Sequence, residues 1–207
     1  MNSRSEVTRA FDGLASRIDA SGFHRIGFTS AVLGEGVSTT ALGTALSLAA
    51  LREETVVLID ANWLEPSLTA DAAAAGAPGL ADLLAKKVDL AAVVRPASHA
   101  GLAFVPVGDR SSARPSLRSV SSLIASKPLA QRTIVVDLPP ILAGEPFVLP
   151  WAALLDQLFV VLREAATPLP LVRQALARLG VSTPEIVLSR AAGSSGDPLP
   201  ALRAAPA

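Results

Sequence analysis

Thr29-Ser30-Ala31-Val32-Leu33-Gly34-Glu35-Gly36-Val37-Ser38-Thr39-Thr40 is the stretch on which the fold turns. It ends a short apolar run, Arg25-Ile26-Gly27-Phe28-Thr29, and leads into an Ala/Leu-rich helical stretch from Thr40 to Leu51. Against the phosphate loop G-x-x-x-x-G-K-[ST], Gly36 takes the second glycine's place and Ser38 that of the Mg²⁺-binding hydroxyl. Ala31 falls on the first glycine and Val37 on the lysine. Gly34 and Gly36 let the backbone turn, so that its N–H groups converge at a helix N-terminus and form an anion site without any side chain. The missing part is an ammonium. A charge-assisted hydrogen bond contributes roughly 1.5–3 kcal/mol. Losing it weakens triphosphate binding by about 10–150-fold, and transfer of a phosphoryl group suffers more. The same glycines would also serve a plain strand-to-helix turn.

Outward from this loop, the chain repeats one pattern. Thr55 to Ile59, Leu102 to Pro106, Arg132 to Val136, Gln157 to Leu162 and Glu185 to Leu188 are further apolar, β-branched runs. They are continuously apolar rather than alternating, as expected for strands covered on both faces. Helical stretches separate them: Thr40 to Leu51, Gly79 to Val94, Ser116 to Ser126 and Pro170 to Leu179. Strands alternating with helices predict an α/β domain, a doubly wound, mostly parallel sheet with helices on both faces. Ahead of it, Val7, Phe11, Leu14 and Ile18 line one face of an amphipathic helix, with Ser5 as a cap. The expected organisation is this helix within residues 1–22, the α/β domain over 23–190, and a disordered tail over 191–207, rich in small residues.

Ligands of such sheets sit at the carboxyl ends of the strands. Asp60 follows Val56-Val57-Leu58-Ile59, and Asp137 follows Thr133-Ile134-Val135-Val136. A carboxylate in that place, beside a phosphate loop, holds Mg²⁺ or its water and can accept a proton. A lone aspartate there would more often cap a helix. Two of them with a glycine loop make a more specific set.

These residues resemble the cytoplasmic tyrosine-kinase domain of bacterial capsule and exopolysaccharide assembly, a branch of the phosphate-loop proteins that includes the septum-site and partitioning ATPases. The similarity runs from about Glu6 to Ser189. The family's loop S-A-x-P-G-E-G-K-S-T-T matches Ser30 to Thr40. Its D-x-D-x-R-x-P-S motif matches Asp60 to Ser67, and its D-x-P-P motif matches Asp137 to Pro140. Gly79 to Leu84 resembles its glycine–leucine helix start, and Leu102 to Gly108 its L-x-v-l-P-a-G strand. Glu6 and Arg9 match part of its E-x-x-R-x-x-R self-association motif. The resemblance implies ATP or ADP with Mg²⁺ on Gly34, Glu35, Gly36, Val37, Ser38 and Thr39, with Ser38, Asp60 and Asp137 around the metal. Asp60 is the implied base, if phosphate is transferred.

The departures carry their own expectation. Val37 replaces the lysine, Asn62 the second aspartate, Leu64 the arginine, and Asp12 the second arginine of the self-association motif. Ser189 falls where related ATPases place an adenine-reading asparagine. The chain has no tyrosine, so it cannot phosphorylate itself on one, and the family's tyrosine-rich tail has no counterpart. The expectation is a degenerate member with nucleotide binding weakened or lost. It would act as a regulatory or scaffolding partner of a membrane polysaccharide co-polymerase, the chain-length regulator. It would then be cytoplasmic, peripheral at the inner face of the plasma membrane through that partner, and a homo-oligomer through Glu6 and Arg9. Two other readings stay open: an active ATPase or tyrosine kinase completed by a residue from a neighbouring subunit, and a partitioning-type positioning ATPase.

Composition narrows the rest. The 207 residues carry 18 basic and 18 acidic side chains. That balance gives no electrostatic case for nucleic acid or an anionic membrane. Cysteine is absent, which removes disulfides, thiolate metal sites and cysteine nucleophiles. No apolar run reaches the length of a membrane span. His24 and His99 read as surface residues, Trp63 as packing, Asp82 with Lys86-Lys87 as a solvated helix face, and Glu145 as a loop charge. Arg110, Arg114 and Arg118 read as a solvated loop.

Overall fold

The apolar runs become the strands of a single sheet. The computed structural model describes residues 3–164, 166–180 and 184–189. Along the chain lie α1 (Ser3–Ala20), β1 (Arg25–Ser30), α2 (Val37–Leu51), β2 (Val56–Asp60), α3 (Ser67–Asp71), α4 (Leu80–Leu84), α5 (Leu90–Val93) and β3 (Arg95–Pro96). They are followed by β4 (Leu102–Val105), α6 (Leu117–Ile124), α7 (Lys127–Ala130), β5 (Thr133–Asp137), α8 (Ile141–Ala152), β6 (Gln157–Arg163), α9 (Leu169–Leu179) and β7 (Glu185–Ser189). The strand order is β3-β4-β2-β5-β1-β6-β7. All pairings are parallel except that of the two-residue β3 with β4. The expected α/β doubly wound sheet is therefore what the chain forms. The tail expected over 191–207 lies outside the described residues.

Alternate residues of each strand feed two cores, one per face, which is why the runs are continuously apolar. Val57, Ile59, Ile134, Val136, Leu158 and Val160 meet the helices on one face. Val56, Leu58, Ile26, Phe28, Val135 and Phe159 meet α1 and α2 on the other. There Leu14, Ala15 and Ile18 of α1 are buried against α2. Phe11 presses on Gly43, where a Cβ would lie 2.4 Å from the ring. The Ser47 hydroxyl donates to Asp12 Oδ1 at 2.8 Å. The Arg52 guanidinium donates to Asp19 Oδ1 at 2.9 Å, to the Phe23 carbonyl at 3.0 Å, and to the Thr133 hydroxyl.

Several local expectations are corrected. Ser5 lies inside α1, which already runs from Ser3, so it is no cap. Gly79 to Val94 is two short helices, because Lys86 takes a left-handed conformation with φ 59° and ends α4. Asp82 is buried, not solvated: its carboxylate accepts N–H groups from Gly79 at 3.0 Å and Asp109 at 3.1 Å. Glu145 lies within α8 and pairs with Arg178 at 3.5 Å. That helix escaped sequence reading because Pro146 and Pro150 stand in it. It kinks at Gly144, so Pro146 falls in the first turn of a new segment, where its missing N–H costs little. The last strand, β7, is not covered on both faces: Ile186 and Leu188 are 53% and 65% exposed. It is one edge of the sheet, and among the described residues it pairs with β6 alone.

Candidate functional site

The strand order brings the three motifs together. β5 lies between β1 and β2, so the loops after all three strands meet at one end of the sheet. Asp60 and Asp137 close neighbouring strands in register. The loops are also bonded to one another. The Thr29 hydroxyl donates to the Pro139 carbonyl at 2.7 Å, and the Ala61 N–H to the Asp137 carbonyl at 2.9 Å.

Gly34 and Gly36 both hold φ at 84°, a left-handed conformation that favours glycine. Gly36 caps α2, whose first N–H groups have no acceptor within the helix. Val37, Ser38 and Thr39 thus open the helix with their amides available to an anion. The Val37 side chain is half-buried and packs on the core that holds Phe28 and Phe159, together with Val187. It rests on the protein interior and contributes no donor to the amide cradle.

Glu35 is buried within the loop. Its Oε2 accepts from the Arg163 N–H and the Thr167 hydroxyl. The Ser189 hydroxyl donates to the Glu35 carbonyl at 2.7 Å. The loop is thereby braced by the turn after β6 and by the end of β7. Motif position marks Glu35 and Ser189 in the sequence, whereas nothing in its local sequence marks Thr167.

The two carboxylates differ in their surroundings. Asp60 Oδ2 accepts from the Thr69 N–H at 2.8 Å and its hydroxyl at 2.7 Å, and Oδ1 from the Asn62 N–H at 3.1 Å. Asp137 Oδ2 accepts from the Ser38 hydroxyl at 2.7 Å, and Ser67 donates to Ser38 at 2.9 Å. Asp137 Oδ1 is buried and, among the described residues, has no hydrogen-bond partner. Burial pushes both acids above their ordinary values, and for Asp137 the neighbouring Asp60 adds to the rise. At Asp60 the Thr69 bonds hold the rise back. Asn62, in place of a second aspartate, turns its Oδ1 to the Leu64 and Glu65 N–H groups at 3.2 and 3.0 Å. It orders the loop rather than adding charge.

An orphaned carboxylate oxygen next to a hydroxyl suits a hard divalent cation. Ser38 and Asp137 are the residues that would touch Mg²⁺, with Asp60 behind them. Among the described residues no group of three or more His, Asp or Glu side chains gathers for a metal. Most of such an ion's shell would come from phosphate and water.

The fold is shared with solved structures. The kinase domain of VpsO matches with a TM-score of 0.73 at 27% identity, covering 90% of this chain and 95% of that one. The kinase domain of the Escherichia coli tyrosine kinase ETK matches at 0.77 and 19% identity, over 88% of this chain and 75% of that one. The chain has the fold of a bacterial tyrosine-kinase domain. The septum site-determining protein MinD from Pyrococcus horikoshii, in complex with Mg-ADP, matches more loosely, at 0.61 and 17% identity, over 78% of this chain and 66% of that one. These neighbours agree with the family that the motifs resemble. No protein-family model and no curated protein matches the sequence.

Other candidates fall away from this end or into the core. Trp63 is buried and stacks on Phe147 with ring centres 6.0 Å apart. His24 sits beside Glu54 at 3.6 Å, next to Arg25 at the start of β1. His99 is a half-buried loop residue whose Nδ1 lies 2.7 Å from the Ala100 carbonyl. Arg9 is exposed on α1, and Glu6 lies in the same helix. No described helix is long and apolar enough to cross a membrane.

Proposed function

We propose that this chain is a regulatory or scaffolding protein of exopolysaccharide or capsular polysaccharide biosynthesis, a tyrosine-kinase-like domain whose phosphate loop has lost its catalytic cation. It docks on the cytoplasmic segment of a membrane polysaccharide co-polymerase, which keeps it peripheral to the membrane. ATP or ADP with Mg²⁺ binds weakly or not at all. The observation that carries this reading is Val37: at the lysine's place an apolar side chain packs on the core, while the carboxylates and Ser38 around it stay ordered. The platform is kept and the charge for transfer is missing.

When bound, the magnesium nucleotide supplies the charge that the amides and Ser38 would grip. The chain's own contribution is the loop shape, held by the bonds to Glu35, and the acceptor set of Asp137 and Asp60. Calorimetric titration with Mg·ADP and Mg·ATP, beside Val37→Lys, tests the reading. Weak binding, no phosphate transfer to a protein acceptor, and a gain of about tenfold or more with the lysine are expected. Submicromolar binding together with transfer of label to an acceptor would overturn it.

A further inference from the structure

Positions 37 and 64 hold Val37 and Leu64, so neither the phosphate loop nor the loop after β2 brings a cation to the site. One arrives from elsewhere. Arg110 reaches across from the segment after β4, and its Nη1 donates to the Trp63 carbonyl at 2.7 Å and the Leu64 carbonyl at 3.2 Å. The loop that it grips starts at Asp60, and its far end, Ser67, touches Ser38. The guanidinium is therefore on the loop after β2, at the end of the sheet where the two carboxylates lie. Its charge is felt by Asp60, although that carboxyl is fully buried. Among the described residues Arg110 forms no ion pair, and its Nε and Nη2 have no partner. Those two nitrogens form the edge of the guanidinium that grips an oxyanion with paired hydrogen bonds.

We propose that Arg110 is the phosphate-binding cation of this site, meeting the terminal phosphate of a nucleoside triphosphate from within the same chain. The proposal rests on the reading of the site as a weakened nucleotide platform. The two carbonyls fix the Nη1 end, so less side-chain freedom is lost when the other edge takes an anion. Because only a triphosphate carries the outermost phosphate, Arg110 makes the site discriminate ATP from ADP. A purely structural tie between the two loops would not.

Titration of the full chain with Mg·ATP and Mg·ADP separates the cases, using the native protein, Arg110→Ala, Arg110→Lys and Val37→Lys/Arg110→Ala. Arg110→Ala should weaken Mg·ATP by about tenfold or more and leave Mg·ADP within about twofold. Arg110→Lys should recover part of the loss, and Val37→Lys should restore ATP preference to the alanine variant. An unchanged ATP-to-ADP ratio in Arg110→Ala, or a native chain that binds neither nucleotide, overturns the proposal. The platform reading fails on a different result, transfer of phosphate to a protein acceptor by the native chain, so the two outcomes are read separately.

Discussion

Asp60 and Asp137 stand side by side at the ends of neighbouring parallel strands, both sealed from solvent, and only Asp60 has all its carboxylate oxygens bonded within the protein. Two buried like charges in register are a source of instability that an ion or a proton relieves. Asp137 carries the larger part of that burden, because among the described residues its carboxylate accepts from Ser38 alone.

Asp137→Asn should therefore stabilise the fold at pH 7.5. The amide removes a buried charge and its repulsion with Asp60, and its oxygen still accepts from Ser38. A gain of about 1–3 kcal/mol is expected, which raises Tm by roughly 2–10 °C in a domain of this size. Thermal unfolding followed by circular dichroism checks it. A lower Tm would show that the carboxylate is better satisfied than its surroundings indicate.

The pH dependence has a definite sign. An acid whose pKa is raised on folding holds its proton more tightly in the folded state. It adds stability below its unfolded value and withdraws it as the pH climbs through the folded value. For Asp60 that window runs from the ordinary 3.8 to about 6, and Asp137 extends it upward. The native chain should lose stability relative to Asp137→Asn as the pH rises from 5 to 8. Urea titrations at several pH values measure the difference, and millimolar Mg²⁺ should reduce it at the upper end.

Gly43→Ala should loosen the N-terminal helix. The added methyl meets the Phe11 ring at 2.4 Å, so the ring or the helix must shift. The cost is about 1–3 kcal/mol. Because the conflict is with one side chain, Gly43→Ala in a Phe11→Ala background should cost much less, and a double-mutant cycle on unfolding free energies reads that coupling.

Arg52 is expected to tolerate no conservative exchange. Its guanidinium meets Asp19 through Nε, Phe23 through Nη2 and Thr133 through Nη1. Its side chain is only 6% exposed. Lysine has one nitrogen and cannot span three acceptors. Arg52→Lys should destabilise by about 1–3 kcal/mol, with faster amide exchange at the Phe23–Arg25 turn as the local readout.

Removing the brace on the phosphate loop should leave the fold intact. Glu35→Ala removes the acceptor shared by the Arg163 N–H and the Thr167 hydroxyl, and amide exchange should quicken at Arg163 and Thr167 and in the glycine loop. Unchanged protection in both segments would show that the turn and the loop hold without Glu35.

Much of this was legible in the chain. Each apolar run became a strand, and the motifs at Gly34–Thr39, Asp60 and Asp137 converge because all three follow parallel strands. Those signals are local: a period of burial, a glycine that must turn, a carboxylate after a β-branched run. The last strand was misjudged because its apolar residues look like those of an interior strand, and only its place at the sheet's edge leaves Ile186 and Leu188 exposed. Helix α8 was hidden by prolines whose harm depends on where the helix kinks.

From the amino acids alone follow the α/β class, the glycine loop without its lysine, the carboxylate pair, and the absence of tyrosine from these 207 residues. Tertiary structure alone decided that Val37 lies down on the core, that among the described residues Asp60 is fully bonded while Asp137 keeps a bare oxygen, and that Arg110 comes to the loop after β2. The reason is distance along the chain. Arg110 lies 46 and 47 positions from the carbonyls that it grips, and Asp137 lies 99 from Ser38. No local pattern encodes pairings that exist only once the sheet has ordered its strands.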